Sequence, residues 1–382
     1  MKQTWIAYSV ISITIFILIY IVIYFSFIYN VDKHNLDDFE IDDYKNNVVI
    51  VLVKNFNTST DSLISLRTVK CYCLQNNVSL KVITRKKYLY LFNKCHQKDF
   101  MFQRHCIISM FADENQNKYK YIFFIDNNMG IINPKHQLEE YLPNENEEFI
   151  FYERVFNTQI DPNTYIFKNT NYSRNFLKFF ANFECKHSND GRDINAIHAV
   201  FTTLFGGDNY LNVYNHCMNI WKKAIGYEDN MIFISCMRWI LRKLDETKAN
   251  PNYFSFDDHR MILLKKKSNK TWVRDIIMNS SKFQEQDFFL HDIKNYKDKT
   301  LFFKKEFNPT PQLCKSKEYL KAWEYETNAK VYDNTINEAI SKAAVEAKSR
   351  YQKYLQLSGI NKINKTNPTR QYQYNETNRN KK

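Results

Sequence analysis

The apolar pattern along the chain falls into three regimes. From Ile6 to Tyr29 the sequence IAYSVISITIFILIYIVIYFSFIY carries no charge at all. At ~1.5 Å per residue such a helix is about 36 Å long, enough to cross a ~30 Å hydrocarbon core with some tilt. The stretch ends in Phe25, Ser26, Phe27, Ile28 and Tyr29. It lacks the small residues a signal peptidase needs, so the pattern predicts an uncleaved signal anchor. Lys2 and the α-amino group precede it and only Lys33 follows closely. The expected orientation is a cytosolic tail of residues 1–5, a span over 6–29, and a lumenal remainder beginning with a polar, acidic stem over 30–46.

The second regime alternates strand and helix signals. VVIVLV (Val48 to Val53) is a β-branched run apolar at every position, as in a strand buried on both faces. A helix is predicted over Thr60 to Asn76, a strand over Val78 to Thr84, a helix over Phe100 to Ala112 and a strand over Tyr119 to Asp126. EEFIFYERVF, NTYIFKNT and RMILLKK read as further strands. Tyr172 to Glu184, Asp193 to Phe205 and Glu228 to Leu244 read as helices. Strands separated by helices predict an α/β fold with a mostly parallel sheet, in one domain over residues 47–298. In the third regime, Ile336, Ile340, Ala343, Ala347, Tyr351 and Tyr354 form an apolar helical stripe, with Gly359 as its stop. Thr335 and Glu338 have the spacing of a capping box. The expected organisation ends with a helical extension over 299–360 and a basic, disordered tail over 361–382.

Composition adjusts this picture in two places. The net charge is +13, but residues 301–382 hold 16 Lys and Arg against 8 Asp and Glu, so +8 of it lies in the tail region. That distribution, with no base-stacking motif among the many Tyr and Phe, argues against a nucleic-acid partner. The eight cysteines are an even number, compatible with disulfides in a lumenal domain but silent on their pairing. Glycosylation sequons stand at Asn57, Asn77, Asn171, Asn269, Asn279, Asn364 and Asn375.

Candidate chemistry lies where the strand YIFFI releases Asp126, Asn127, Asn128, Met129 and Gly130 into a turn. In an open α/β sheet, ligands bind beyond the carboxyl ends of strands. A carboxylate there is placed to hold a divalent cation, and equally to make an ordinary Asx turn. His105 and Cys106 read as core residues of a helix rather than a nucleophilic pair, and His198 as a hydrogen-bonded interior histidine. Arg85-Lys86-Lys87 and Lys265-Lys266-Lys267 read as solvated ends of elements.

YIFFIDNNMGIINP, preceded by RHCIISM, resembles the D-x-D region of nucleotide-diphospho-sugar transferases of the GT-A-like, Rossmann-related class. More narrowly, it resembles an uncharacterised, nematode-enriched family related to galactosyl- and mannosyltransferases. FYERVFN, TYIFKNT, FLKFFANFE, GRDINAIHAVF, TWVRD and DFFLHDIK extend the resemblance, in order, over most of residues 48–298. It implies transfer of a hexose from a nucleotide sugar to a glycan or glycoprotein acceptor, with Mn²⁺ or another divalent cation neutralising the leaving diphosphate. By the same resemblance Asp126, Asn128 and His291 are the metal ligands, and Asp126, Asn127, Asp193, Asn195 and Lys294 contact substrate. Asp193, which matches an acidic pocket residue near the donor sugar or acceptor, is the expected catalytic residue. The membrane anchor suits a single-pass type II protein of the Golgi or endoplasmic reticulum.

Four positions depart from the family pattern. Asn128 replaces the second acid of D-x-D, Ile194 interrupts the motif at Asp193, Asp292 replaces a glycine between His291 and Lys294, and Asn163-Thr164 replaces Gly-Ser. Two other readings therefore stay open. One is an inactive glycosyltransferase-like protein that binds sugars or partner enzymes. The other is a membrane-tethered interaction protein acting through its basic tail.

Overall fold

A computed structural model describes residues 15–22, 36, 41, 47–55, 63–184, 193–275, 282–293, 302–360 and 362–363. Most of the predicted span 6–29 lies outside this set. The described part, 15–22, is helical, and we label it α1. Every one of its side chains is apolar or tyrosine and exposed, from Ile21 at 41% to Phe16 at 71%. Among the described residues no helix is long and apolar enough to cross a membrane.

The chain is α/β with a mixed sheet flanked by helices, and it divides into two compact units interleaved along the sequence. A single domain over 47–298 was expected. The first unit takes residues up to Lys87, Ile125–Gln137 and Trp272–Ile336. Its β1 (Val48–Lys54) is buried at all positions and pairs in parallel with β2 (Ser79–Thr84), the two linked by α2 (Leu63–Asn76). This is a crossover unit of the predicted strand–helix–strand type, with β1 buried at every position. A three-stranded sheet orders as β4-β10-β9, from β4 (Met129–Ile131), β9 (Val273–Asp275) and β10 (Phe289–His291). Gly130 is required here. A Cβ on it would stand 2.9 Å from Thr68 Oγ1 and 3.0 Å from the Ser65 backbone, so only glycine lets α2 approach β4 this closely. Cys71 on α2 is disulfide-bonded to Cys314 on the short helix α9 (Pro311–Lys315).

The second unit takes Tyr88–Phe124, Leu138–Thr271 and the chain from Asn337. Its strands order as β3-β6-β5-β8-β7, with β3 (Tyr121–Ile125), β5 (Phe149–Tyr152), β6 (Thr164–Lys168), β7 (Tyr253–Phe256) and β8 (Met261–Leu264). β5 and β8 are parallel, while β5/β6 and β7/β8 are antiparallel, so the mostly parallel sheet that was expected is a mixed one. The connections explain it. A parallel return needs about a dozen residues or more, and the β7–β8 link is a tight turn through Asp257, Asp258 and His259 at φ of 60°, 55° and 62°. The core is aromatic: Phe149 lies 5.1 Å from Phe167 and 5.0 Å from Phe176, and Phe151 lies 5.5 Å from Phe201.

Helices α3 (Leu89–Lys94), α4 (Phe100–Glu114), α5 (Asn171–Asn182), α6 (Asp193–Phe205), α7 (Leu211–Lys222) and α8 (Tyr227–Leu244) complete this unit. Two disulfides, Cys95–Cys106 and Cys217–Cys236, are local, and they remove Cys106 from nucleophilic chemistry. The last helix, α10 (Asp333–Leu357), begins two residues before the predicted cap at Thr335. Its stripe is buried as expected at Ile336, Ala347, Tyr351 and Tyr354. Arg242 of α8 lies 4.0 Å over the Tyr351 ring, and Gly359 ends the element at φ 70°. Ile360 is fully buried, so packing continues one residue beyond that stop. Lys265 and Lys266 are not the solvated ends expected. Lys265 donates to the Asn250 carbonyl, and Lys266 to those of Arg154 and Asn157.

Candidate functional site

Strand register brings the turn at Asn128 beside His291 and Asp292. β10 runs antiparallel to β4 with His291 opposite Met129, so the turn after β3 lies beside the end of β10. The chain supplies two bonds across this seam. The Asp292 N–H donates to the Asn128 carbonyl at 3.0 Å, and Asn128 Nδ2 donates to Asp292 Oδ1 at 2.8 Å. Asp126 opens the turn. Its carbonyl accepts from Met129 N at 3.1 Å, and its Oδ1 accepts from Asn127 N at 2.6 Å. β10 is in turn parallel to β9 with His291 opposite Asp275. His291 Nδ1 lies 3.1 Å from Asp275 Oδ1. A carboxylate can only accept, so Nδ1 carries the proton of this bond. A carboxylate behind a histidine in this way is the usual support of a metal-ligating imidazole.

Asn128 carries the most informative atom. Because its amide nitrogen faces Asp292, the amide orientation is fixed, and Oδ1 is left buried with no hydrogen-bond partner. An orphaned buried oxygen is costly unless something binds it. By type, an Asp oxygen, an amide oxygen and a His nitrogen are donors that suit Mn²⁺. Only two of these three are ionisable side chains. Asp275 and Asp292 stand at the same seam, yet among the described residues no group of three His, Cys, Asp or Glu is placed to hold a metal ion. The residues fit the cation in donor chemistry, with an amide in the place of one acid. Lys294 lies outside the described residues.

The second unit holds Asp193 and Asn195, both buried on the first turn of α6. Asp193 is 1% exposed. Its Oδ2 accepts from Arg104 Nη2 at 2.5 Å and from His105 Nε2 at 3.1 Å. Arg104 also donates to Asn163 Oδ1 at 2.9 Å, and His105 Nδ1 accepts from the Tyr165 hydroxyl at 2.9 Å. His105 stacks on Phe180 at 4.2 Å. Burial by itself would raise the Asp193 carboxyl, but the Arg104 guanidinium and the His105 bond outweigh it and hold the group below its usual range. Burial pushes His105 down to about 4, with Arg104 acting the same way and Asp193 opposing, so the ring is neutral. His198 is interior as expected: its Nε2 accepts from Ile160 N at 3.0 Å, and burial followed by Arg238 pushes it down to about 3.

Sequence reasoning missed Asp275 and Arg104 as partners, and it saw Asp292 only as an unfavourable replacement. Each lies inside a quoted motif, but its partner is distant in the chain and visible only through strand register or helix packing.

The class of protein that the fold defines is α/β, with a mixed sheet flanked by helices. The particular family is given by sequence. A family model described as "Protein of unknown function, DUF273" matches residues 69–308, more than half of the chain, and the chain belongs to that family. No curated protein matches the sequence. Solved structures that match include a glycosyltransferase involved in glycosylation of the major capsid of PBCV-1. It is 9% identical, with 64% of this chain and 92% of that one covered, at a TM-score of 0.34. The catalytic domain of Drosophila beta1,4galactosyltransferase 7, solved with xylobiose, is 12% identical over 35% of this chain and 52% of its own, at 0.23. A197 from STIV is 12% identical over 39% and 74%, at 0.24. Likenesses this distant say nothing about activity. The three disulfides among the described residues suggest a protein of the secretory pathway, where oxidising conditions keep them formed.

Proposed function

We propose that the chain is a metal-dependent glycosyltransferase of GT-A-like fold, transferring a hexose from a nucleotide sugar to a glycan or glycoprotein acceptor. The observation that carries this reading is the seam between β4 and β10. It sets Asn128 beside Asp292, 164 positions away, and leaves one buried amide oxygen without a partner. When bound, a divalent cation at such a site supplies electrostatic neutralisation of a leaving diphosphate. The protein's own contribution is orientation. Asp275 holds the His291 ring through Nδ1, Asp292 holds the Asn128 amide in one flip, and the backbone at Asn127 turns the Asp126 carboxylate. Asp193 has a different part. Closed in by Arg104 and His105, it anchors the start of α6, and its burial does not support the substrate contact expected of it.

The membrane anchor over 6–29 and a lumenal, Golgi or endoplasmic reticulum location belong to the same proposal. Asn77, Asn171 and Asn269 are exposed sequons that a lumenal chain would present to the glycosylation machinery. Protease protection of the chain in intact microsomes tests the orientation, and digestion without detergent would reverse it. Activity is tested by release of nucleoside diphosphate from a panel of nucleotide sugars, with Mn²⁺ and with chelator. Mn²⁺-dependent release is expected for at least one donor.

A second reading is an inactive member that binds nucleotide sugars without turning them over. That no three His, Cys, Asp or Glu among the described residues are placed to hold a metal favours it. Donor binding without release would establish it.

A further inference from the structure

The site carries a carboxylate that the ligand set above does not use. Asp292 follows β10 directly and adopts φ 70°, a left-handed conformation that side chains other than Gly, Asn and Asp seldom take. Two bonds tie it to the opposite turn: its N–H donates to the Asn128 carbonyl at 3.0 Å, and its Oδ1 accepts from Asn128 Nδ2 at 2.8 Å. The neighbouring Ile293 is itself fixed, its carbonyl accepting from Ser65 Oγ at 2.9 Å. Asp292 is thus tied to Asn128 through both its main chain and its carboxylate.

Resting on the metal reading above, we propose that Asp292 is the positioning residue of this site: it supplies the second negative charge that Asn128 lacks and aims Asn128 Oδ1 at a bound divalent cation. Three observations support it. An amide with its nitrogen committed to a carboxylate must present its oxygen the other way, and that oxygen is the one left buried and unpartnered. The charge sits one amide away from the ligand atom, close enough to raise the site's affinity for a cation. The backbone bond fixes the separation of the two residues, so the pair moves as one. Asn128 and Asp292 are then not two separate lesions in a ligand site but one exchange, in which the carboxylate has moved across the seam.

The exchange predicts coupled substitutions. Asp292→Asn keeps a side chain tolerated at positive φ and an oxygen able to accept from Asn128, and removes only the charge. Asp292→Gly removes charge and bond without straining the backbone. Mn²⁺ binding is measured by titration calorimetry on the full chain in detergent, with thermal unfolding of the metal-free protein beside it. Removal of such a supporting partner lowers metal affinity by about 10- to 100-fold. Asp292→Asn is expected at the low end of that range and Asp292→Gly nearer the high end. The double variant Asn128→Asp with Asp292→Asn places the carboxylate on the other side of the seam and is expected to recover most of the loss.

In the metal-free protein, Asn128→Asp alone sets two carboxylates against each other. It is expected to lower the unfolding midpoint, and Asp292→Asn is expected to restore it. If the wild-type chain binds Mn²⁺ and both Asp292 variants bind it equally well, this proposal fails while the metal reading stands. If the double variant binds no better than Asp292→Asn alone, the exchange is refuted. A wild-type chain that binds no Mn²⁺ overturns the metal reading and this proposal with it.

Discussion

Two acidic centres in this molecule have opposite constructions. Around Asp193, every polar group named has its partner inside the protein: Arg104 and His105 on the carboxylate, Asn163 on the guanidinium, Tyr165 on the imidazole. Around Asn128 the network stops short, leaving one buried oxygen unanswered. Asp126 and Asp292 there are only partly buried, whereas Asp193 is 1% exposed. A closed network stabilises the fold and has no capacity left for a ligand. An open one costs stability and is accounted for by something that binds.

The contrast breaks first on stability. Asp193→Ala leaves Arg104 buried without its counter-ion, and losing one partner of a buried pair costs about 3–5 kcal/mol. For a protein of this size each kcal/mol lowers the unfolding midpoint by roughly 2–4 °C. Asp126→Ala and His291→Ala, at the open centre, should each shift it far less. If the order is reversed, the assignment of the two centres is reversed too.

Covalent ties sharpen the same comparison. The first unit gathers three distant stretches of chain, and Cys71–Cys314 closes a separation of 243 residues within it. The disulfides of the second unit span only 11 and 19 residues. Replacing both Cys71 and Cys314 with Ser should cost about 2–5 kcal/mol. Because the open centre belongs to this unit, metal binding should weaken along with stability. Thermal unfolding and Mn²⁺ titration of the same sample measure both.

Acid should act on the closed centre. His105 and His198 are held neutral in the folded chain, near 4 and 3, against ~6.5 when unfolded. A depressed folded value means that the unfolded chain binds more protons in the interval between the two. The stability contribution is therefore full above about pH 6.5 and is lost as pH falls towards 4, by up to about 1.4 kcal/mol per pH unit for each ring. His105→Gln should flatten this slope in a series of unfolding curves from pH 7 to pH 4.5. An unchanged slope would mean that His105 does not contribute. The smallest effect expected is at the end of the chain. A protein ending at Ile363 keeps the buried Ile360 and should unfold at the wild-type midpoint.

The fold was legible where periodicity was strong. β1, β2, α4, β3, α6 and α8 lie within a few residues of their predicted places, because each is a long apolar pattern of one period. β4, β9 and β10 were missed as strands. They are three residues each, too short for a period to show, and they exist because α2 and each other cover them. The antiparallel β7 was missed for a related reason, its hairpin being made by Asp257, Asp258 and His259 rather than by a glycine turn. At the site, residue types at Asp126, Asn128 and His291 could be read from motif order. The pairing of Asn128 with Asp292 could not, since nothing in a linear sequence says that the two departures face each other. At Asp193 a motif position suggested contact with substrate, and the burial of the carboxylate against Arg104 and His105 could not be read from the sequence.

The central claim is that Asp126, Asn128 and His291 hold a divalent cation. Electron paramagnetic resonance of Mn²⁺ titrated into the full chain in detergent tests it most directly, because free and bound Mn²⁺ are counted separately. One bound ion per chain is expected for the wild-type protein, lost in Asp126→Ala and His291→Ala and kept in Asp193→Asn wherever that variant remains folded. Binding that survives both of the first two substitutions, or is absent from the wild-type chain, would contradict the account.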